Sequence, residues 1–151
     1  MDKNQLEVFI KSVAPDLEPK EGKQFTEVTV APERLHSLCR ILKESEAAQF
    51  DFLDCITGVD YGQDLGVIYH LRSTVYGHAI VLKSRTSDRE NAHFDSVCDL
   101  WKSAEFLERE IYDLLGIRFT GHPDLRRLFL DSSWGFPLRK DYKDDINIVT
   151  K

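Results

Sequence analysis

The sequence predicts an α+β domain with a small mixed or antiparallel sheet, flanking helices and an extended, mostly irregular C-terminal segment. Three observations carry this prediction: apolar residues recur at helical spacing in three stretches, apolar runs between them indicate strands, and no sustained period follows Gly116. A chain of 151 residues suits one domain with a real core. We therefore assign residues 1–119 to the α+β domain and residues 120–151 to the C-terminal segment of the same domain family.

The first two helices are predicted from apolar stripes and from nearby prolines. Apolar residues at helical spacing over 6–13 indicate a short helix, and Pro15 ends it. Pro32 suits the first turn of a second helix, because the amide hydrogen that proline lacks would have no partner there. The apolar stripe that follows extends this helix to about Glu46.

The strands are predicted from apolar runs bounded by glycine. Residues 25–30 alternate apolar and polar side chains, and residues 52–59 form a mostly apolar run. Residues 66–72 and 78–83 form two further strands joined near Gly77, and so short a connection favours an antiparallel hairpin. The glycines of this region lack the order of a dinucleotide-binding loop, and no long helix follows them.

A third helical stripe precedes the irregular segment. Apolar residues over 97–115 predict either one long helix or a turn around Trp101 followed by a helix, with Gly116 as the C-terminal cap. Beyond Gly116 the sequence has short apolar pairs, prolines and glycines but no sustained period. A segment of about 35 residues without regular structure is commonly functional or bound to a partner.

Composition excludes several classes of protein. The apolar share of 42% and the charged share of 30% are those of a soluble globular domain. No stretch approaches the roughly 20 apolar residues of a membrane span, and residues 1–5 lack the layout of a signal peptide. We expect a cytoplasmic chain that meets a membrane only through a partner. Cys39, Cys55 and Cys98 are too far apart to indicate a zinc site or an iron–sulfur cluster, so reduced thiols are expected.

The charge is unevenly distributed. Residues 116–143 contain six basic and three acidic side chains, a local balance of +3 that leaves −9 for the rest of a chain of net charge −6. An acidic chain argues against non-specific nucleic-acid binding. The basic stretch is either a solvated face with internal ion pairs or a docking strip for an acidic partner.

The carboxylates near the end of the third helix invite a catalytic reading, because paired carboxylates can share acid and base roles. Helical spacing favours a structural network instead. Arg109 and Asp113 are four residues apart and are predicted to pair along one face. Glu110 follows the apolar stripe closely enough to be half-buried, so it needs a cation, with arginines 118, 126 and 127 as candidates.

His122, Pro123 and Asp124 could belong to a metal or acid–base site. Metal sites need three or four ligands at known spacing, and the other histidines are scattered singly. A histidine before proline is held extended, and an aspartate after proline caps turns readily. We therefore predict a structural role for this tripeptide, and no catalytic, cofactor or metal ligand in the chain.

Two sequence blocks resemble a known family. The first runs from Glu108-Arg109-Glu110-Ile111-Tyr112-Asp113-Leu114-Leu115-Gly116 into Gly121-His122-Pro123-Asp124-Leu125-Arg126-Arg127, and the second is Gly135-Phe136-Pro137-Leu138-Arg139-Lys140-Asp141-Tyr142. Both are similar to signatures of the 30-kDa, or C-type, subunit of the respiratory NADH:quinone oxidoreductase, complex I. The resemblance covers about residues 50–142.

The resemblance implies a function without chemistry in this chain. In that family the chain is a connecting subunit of the quinone-reducing module in the peripheral arm, and its C-terminal segment wraps the 49-kDa-type, or D-type, subunit. NADH, FMN, iron–sulfur clusters and quinone are implied in partner subunits. The complex pumps protons, and its peripheral arm lies on the cytoplasmic side of the inner or plasma membrane.

The resemblance also gives the segment's residues expected roles. The acidic residues of the third helix are expected to pair with arginines of the segment or of the partner. Trp134, Phe136 and Tyr142 are expected to fill pockets of the partner as aromatic anchors. The signature and interface residues are Glu108, Arg109, Glu110, Asp113, Gly116, His122, Pro123, Arg126, Arg127, Pro137, Arg139, Lys140, Asp141 and Tyr142, of which the four basic ones from 126 to 140 are expected to meet carboxylates of the partner.

The sequence is also compatible with three other functions. Relatives of the same subunit serve membrane-bound hydrogenases and related dehydrogenase complexes. A free-standing hydrolase would use Glu110, Asp113 and His122. A generic interaction module would differ only in its partner.

Overall fold

The computed structural model describes residues 1–143, so positions 144–151 of the predicted C-terminal segment lie outside the described residues. Within that range, a five-stranded sheet and three helices form the main body, and a two-stranded sheet lies beside it. The elements are α1 (Lys3–Val13), β1 (Lys20–Glu21), β2 (Thr26–Thr29), α2 (Pro32–Glu44), β3 (Phe52–Asp60), β4 (Leu65–Arg72), β5 (Ala79–Thr86), β6 (His93–Asp95), α3 (Ala104–Leu115) and β7 (Arg118–Thr120).

The main sheet is mixed, which is one of the two arrangements that the sequence predicts. Its strand order is β1-β2-β5-β4-β3, with β2 and β5 parallel and the other neighbours antiparallel. Strands β4 and β5 form the predicted hairpin, in which Arg72 lies opposite Ala79. Gly77 takes the left-handed conformation in the turn, with φ of 78°. That conformation suits glycine, which has no Cβ to clash.

The helices cover one face of the sheet. Strand β4 buries Leu65, Val67, Tyr69 and Leu71, while the side chain of Ile68 between them is half-buried. Because alternate side chains of a strand point to opposite faces, the fully buried set faces the helices. These side chains join those of the three helices in one core.

The helix ends follow the local sequence. Asp2 and Gln5 form a capping box at the start of α1, and Pro32 begins α2. Of the two readings of residues 97–115, the structure shows the second: a turn around Trp101 precedes α3. Gly116 ends that helix with φ of 72°, as its position predicts.

The short strands were not predicted. Strand β6 pairs in parallel with β7, and Phe94 lies opposite Phe119. Two or three residues are too few to show an alternating pattern, so only the fold brings these strands together. Strand β7 also carries regular structure to Thr120, one residue past the predicted domain boundary.

A close approach between α3 and β3 fixes the position of the signature residues. A Cβ atom at Gly58 of β3 would lie 2.5 Å from Leu115 Cδ1 and 2.8 Å from Ile111 Cγ2. The missing side chain therefore lets the last turns of α3 rest directly on the edge strand of the sheet.

Candidate functional site

Helix α3 buries three charged side chains and exposes a fourth. Glu108 and Asp113 have no exposed surface, and Arg109 is 5% exposed. Glu110, predicted to be half-buried and paired, is exposed instead. At 100° per residue, position 110 lies about 100° around the helix from Ile111, whereas position 108 lies only about 60° away. The buried carboxylate next to the apolar stripe is therefore Glu108.

Asp113 is the point where the C-terminal segment is attached to α3. Its Oδ1 accepts a hydrogen bond from Arg127 Nε at 2.8 Å. Its Oδ2 accepts the amides of Phe129 at 2.7 Å and of Leu130 at 3.1 Å. Burial alone would raise the pKa of Asp113, but the Arg127 guanidinium and the two amides together lower it. The prediction that an arginine of the segment pairs with an α3 carboxylate is confirmed for Arg127 and Asp113.

Arg109 does not form the predicted pair with Asp113. Its Nε donates to the carbonyl of Arg126 at 3.2 Å, and its Nη2 donates to the carbonyl of Arg127 at 3.0 Å. The segment crosses the outer side of α3 here, so its backbone oxygens reach the guanidinium and Arg127 takes the carboxylate. Arg109 thus holds the segment's backbone.

Arg127 ties two parts of the segment to the helix. Its Nη1 donates to the carbonyl of Trp134 at 2.6 Å. Its Nη2 donates to the carbonyls of Gly135 at 2.6 Å and of Asp113 at 2.9 Å. A planar guanidinium with five N–H donors suits such a junction, since a lysine ammonium has only three donors and no fixed fork.

Phe136 packs on its own domain. Its ring lies 6.2 Å from that of Tyr112, and the guanidinium carbons of Arg127 and Arg139 lie 5.2 and 5.4 Å from its centroid. A Cβ at Gly116 would come within 2.6 Å of the ring. The expected role of Phe136 as an anchor in a partner's pocket stays a prediction, and in this chain the half-buried ring already packs against the end of α3.

The other two aromatic residues predicted as anchors are half-buried, whereas two apolar side chains that were not predicted as anchors are exposed. Trp134 and Tyr142 are each half-buried. Phe129 is 69% exposed and Leu138 is 56% exposed. A large apolar side chain this exposed in an ordered segment is available for contact with another protein.

The second signature block is bonded to the end of α3 and to β3. Leu138 N donates to the carbonyl of Leu114 at 3.0 Å, and Arg139 Nε donates to the carbonyl of Leu115 at 2.5 Å. Lys140 N donates to Asp60 Oδ2 at 2.9 Å. The first two bonds satisfy carbonyls that a helix end leaves without an intrahelical partner.

Asp60 is a second attachment point, which sequence reasoning missed. Its carboxylate forms a two-pronged pair with Arg89, at 2.7 and 2.9 Å, and Arg89 also lies 3.5 Å from Asp141. The Arg89 guanidinium and the Lys140 and Gly62 amides outweigh burial and hold the pKa of Asp60 well below its usual range. Asp60 lies at the end of an unremarkable strand, so no local pattern indicates its partners.

A polar cluster under the start of the segment was also missed. Glu108 Oε1 accepts the amide of Val97 at 2.8 Å, and Oε2 accepts the hydroxyl of Ser96 at 2.7 Å and the thiol of Cys98 at 3.3 Å. His122 Nε2 lies 4.0 Å from the same Oε2. Burial raises the pKa of Glu108, and these donors offset part of the rise. Burial raises the pKa of the Cys98 thiol to about 12.

The donor set of this cluster fits hydrogen bonding better than metal ligation. Donor atoms of Cys98, Glu108 and His122 lie within 4.8 Å of one another, which is close to metal-site spacing. However, His122 Nδ1 accepts the Asp124 amide at 2.9 Å, so its proton resides on Nε2, which donates to the carbonyl of Glu105 at 2.9 Å. If Nε2 bound a metal ion, the ring proton would move to Nδ1, and that N–H would then face the N–H of Asp124. The tautomer therefore opposes ligation.

The side chains that a hydrolase would use, Glu110, Asp113 and His122, either bond to other groups or lie apart from one another. Asp113 is held by Arg127 and two amides, and both ring nitrogens of His122 have backbone partners. Glu110 is exposed on another side of α3. Pro123 is exposed and Pro137 is half-buried, and both lie in the irregular C-terminal segment. The arrangement is suited to holding residues 121–143 in one shape and presenting their outer side.

A family of known proteins matches most of the chain. The family described as "Respiratory-chain NADH dehydrogenase, 30 Kd subunit" matches residues 28–146. The chain belongs to this 30-kDa subunit family. The resemblance noted in its sequence is thereby confirmed.

Its relatives include C-type and C/D-type subunits of NADH-quinone oxidoreductase. The C-type relative from Geobacter sulfurreducens is 41% identical over 140 residues, 87% of this chain and 83% of that protein. The C/D-type relative from Phocaeicola vulgatus is 49% identical over 122 residues, 80% of this chain. The chain spans only 23% of the length of that C/D-type relative.

A solved structure shares the fold. A chain of the membrane-bound sulfane sulfur reductase, an archaeal respiratory membrane complex, superposes with a TM-score of 0.82 at 26% identity, covering 97% of this chain and 88% of that chain. The predicted α+β class is confirmed by this likeness and by the mixed sheet. Among the described residues of this 30-kDa-type chain, no helix has both the length and the apolarity to span a membrane.

Proposed function

We propose that this chain is the connecting subunit of the peripheral arm of a proton-translocating NADH:quinone oxidoreductase, and that it docks to the 49-kDa-type subunit. It carries no catalytic group of its own in this role, while NADH, FMN, iron–sulfur clusters and quinone bind in partner subunits. The chain sits on the cytoplasmic side of the inner or plasma membrane and reaches it only through the assembled complex. Its family and its C-type relatives in NADH-quinone oxidoreductases support this reading.

The attachment of the C-terminal segment to α3 carries the proposal. Asp113, Arg109 and Arg127 fix the backbone of residues 126–135 with charge-assisted hydrogen bonds. A fixed segment loses little conformational entropy on binding, which favours affinity. Although Asp113 neutralises the charge of Arg127, residues 116–143 keep a basic balance that suits an acidic partner.

The outer side of the segment offers contacts for the partner. Phe129 and Leu138 are exposed, and the Arg126 side chain is 68% exposed, with Asp124 as its neighbour. Apolar side chains with arginine beside them are typical of interface centres. In the C/D-type relatives, the name of a single chain combines the C-type and the D-type subunit. This supports a D-type subunit as the neighbour of this chain.

The test is co-purification of the native complex through a tag on this chain. Phe129→Ser and Arg126→Glu should each lower the recovery of the 49-kDa-type subunit about tenfold, the effect of losing one moderate hot-spot contact. Val8→Ser is the matched control, because Val8 is also 69% exposed but lies on α1. Unfolding by urea should be unchanged in all three, since exposed side chains rarely affect stability.

Two results would overturn the docking role. If the variants assembled fully with the 49-kDa-type subunit yet lost electron transfer from NADH to quinone, the chain would have a catalytic function. Unchanged assembly with unchanged activity would also reject this surface as the docking site.

A subunit of a related membrane complex is the second candidate. The likeness to a chain of the sulfane sulfur reductase complex, at 26% identity, favours it specifically. Mass spectrometry of the complex separates the two. Subunits that bind flavin and NADH would support the oxidoreductase, whereas a membrane complex without them would support the second candidate, and nickel–iron active-site subunits would mark that complex as a hydrogenase.

A further inference from the structure

A cluster of exposed apolar side chains lies at the end of the main sheet away from the C-terminal segment. Val75 and Tyr76, in the turn between β4 and β5, are 61% and 52% exposed, and Phe52 at the start of β3 is 44% exposed. We call these three residues the hairpin tip. Thr74 N donates to Asp51 Oδ1 at 2.8 Å, which joins the turn to the start of β3. Exposed apolar side chains that lie near one another are typical of surfaces that contact another protein.

The hairpin tip is held in one shape by its neighbours. The hydroxyl of Tyr76 donates to the carbonyl of Glu46 at 3.1 Å, and its ring stacks on that of His78 with centroids 5.7 Å apart. The amide of Tyr76 donates to Ser73 Oγ at 3.1 Å. Gln49, in the loop that carries Glu46, has φ of 42°, a left-handed conformation that is uncommon in a residue other than glycine. The exposed Tyr76 ring is therefore held in place by hydrogen bonds and a ring contact from its own chain.

The rim of the hairpin tip is acidic. Glu44, Glu46, Asp51 and Asp54 are all exposed around it. Two cations lie near it: Arg72 pairs with Asp54 at 2.9 Å and lies over the Phe52 ring, and the Met1 amino group bonds to His78 Nδ1 at 3.0 Å. Four carboxylates against these two cations leave the rim negative, and its complement is a basic surface.

We propose that the hairpin tip is a second docking surface, and that it binds a partner protein that presents lysine side chains around an apolar pocket. Tyr76 and Val75 enter the pocket, and the carboxylates at positions 44, 46 and 51 meet the partner's cations. Central aromatic residues with a polar rim are the usual arrangement at protein interfaces.

This surface is separate from the docking site of the C-terminal segment. Phe52 and Asp60 are the first and last residues of β3, and Lys140 bonds to Asp60. Nine strand residues span about 26 Å, so the two surfaces lie at opposite ends of the sheet. A chain that binds one subunit at each end can connect them, which goes beyond docking to the 49-kDa-type subunit alone.

Zero-length cross-linking of the native complex with a carbodiimide tests the proposal, because it joins only a carboxylate and an amine in direct contact. We expect cross-linked peptides between residues 44–54 and lysines of a subunit other than this chain. The double variant Glu44→Lys/Glu46→Lys and the variant Val75→Ser should lower recovery of that subunit about tenfold. Glu18→Lys and Val8→Ser, at exposed positions away from the tip, are the matched controls.

The outcomes separate this proposal from the previous one. Recovery of the 49-kDa-type subunit should stay unchanged in the tip variants, whereas Phe129→Ser lowers it. The second surface is rejected if residues 44–54 form no cross-link to another subunit, if they link only to a second copy of this chain, or if the tip variants recover every subunit normally. Failure of the Phe129 experiment alone would overturn only the docking role of the segment.

Discussion

The ring of Phe136 lies on the bare backbone of Gly116, at a distance that leaves no room for a methyl group. A Cβ at position 116 would be 2.6 Å from Phe136 Cδ2, and the glycine has φ of 72°. Gly116 thus ends α3, and it also contacts Phe136, where the C-terminal segment packs against the end of the helix. Glycine suits position 116 for two separate reasons, the left-handed backbone conformation and the close contact with Phe136.

Gly116→Ala should therefore cost more than backbone strain alone. Strain at a left-handed position is worth about 1 kcal/mol, and displacement of Phe136 adds to it. Gly77→Ala is the control, because Gly77 has φ of 78° and nothing within 4 Å of an added Cβ. We expect about 1 kcal/mol of lost unfolding free energy for the control and about 2–3 kcal/mol for Gly116→Ala. Urea unfolding measures both, and equal losses would contradict the contact with Phe136.

Arg127→Ala should detach the segment, whereas Arg126→Ala should not. Removal of Arg127 leaves the Asp113 carboxylate buried with only two amides, at a cost of about 3 kcal/mol. Arg126 pairs with Asp124 on the surface, so its loss should change stability by about 0.5 kcal/mol or less. Hydrogen exchange should show lost protection at the Phe129 amide in the first variant and normal protection in the second. Equal protection in both would mean that Asp113 does not depend on Arg127.

The sequence predicts features that depend on neighbouring residues better than those that depend on distant ones. Pro32 at the start of α2 and Gly116 at the end of α3 follow from the conformations that these residues allow, and both predictions are confirmed. The hairpin of β4 and β5 follows from its short connection. Each of these features is decided within a few residues along the chain.

The missed features are decided by distant contacts. Lys140 meets Asp60 from 80 positions away, and no local pattern encodes that contact. The step from Glu110 to Ile111 predicts a buried Glu110, but helical spacing brings Glu108 closer to the apolar stripe, and the distant donors from residues 96–98 hold its carboxylate. Where charged side chains compete for partners, the path of the backbone determines which pairs form.

Acidification should loosen the segment. The pKa values of Asp113 and Asp60 lie below the usual value of 3.8 in the folded chain, because their arginines and amide donors favour the ionised form. A lowered pKa gives stability that is present above 3.8 and is lost as the pH falls through the folded-state pKa. Unfolding free energy measured from about pH 6 to about pH 3 should therefore fall steeply at the acid end. Asp60→Asn should be less stable at neutral pH and show a shallower fall. An identical acid slope in this variant would rule out Asp60 as a contributor.

Glu108 should matter for stability and Glu110 should not. Glu108→Ala leaves the Val97 amide and the Ser96 hydroxyl without their acceptor in a buried site, so we expect a loss of about 3 kcal/mol. Glu108→Gln keeps an oxygen for the amide, and the hydroxyl can turn to accept, so its loss should be smaller. Glu110→Ala is the exposed control and should change stability by about 0.5 kcal/mol or less.

The pH dependence of these variants tests the buried carboxylate directly. Because burial raises the pKa of Glu108 above 4.5, its contribution to stability is greatest below that value and declines as the pH rises through the folded-state pKa. Glutamine does not titrate, so the deficit of Glu108→Gln relative to the native chain should shrink between about pH 4 and about pH 8. Urea unfolding at the two pH values measures the change. A deficit that grows with pH would mean that the Val97, Ser96 and Cys98 donors outweigh burial and hold the Glu108 carboxylate in its ionised form.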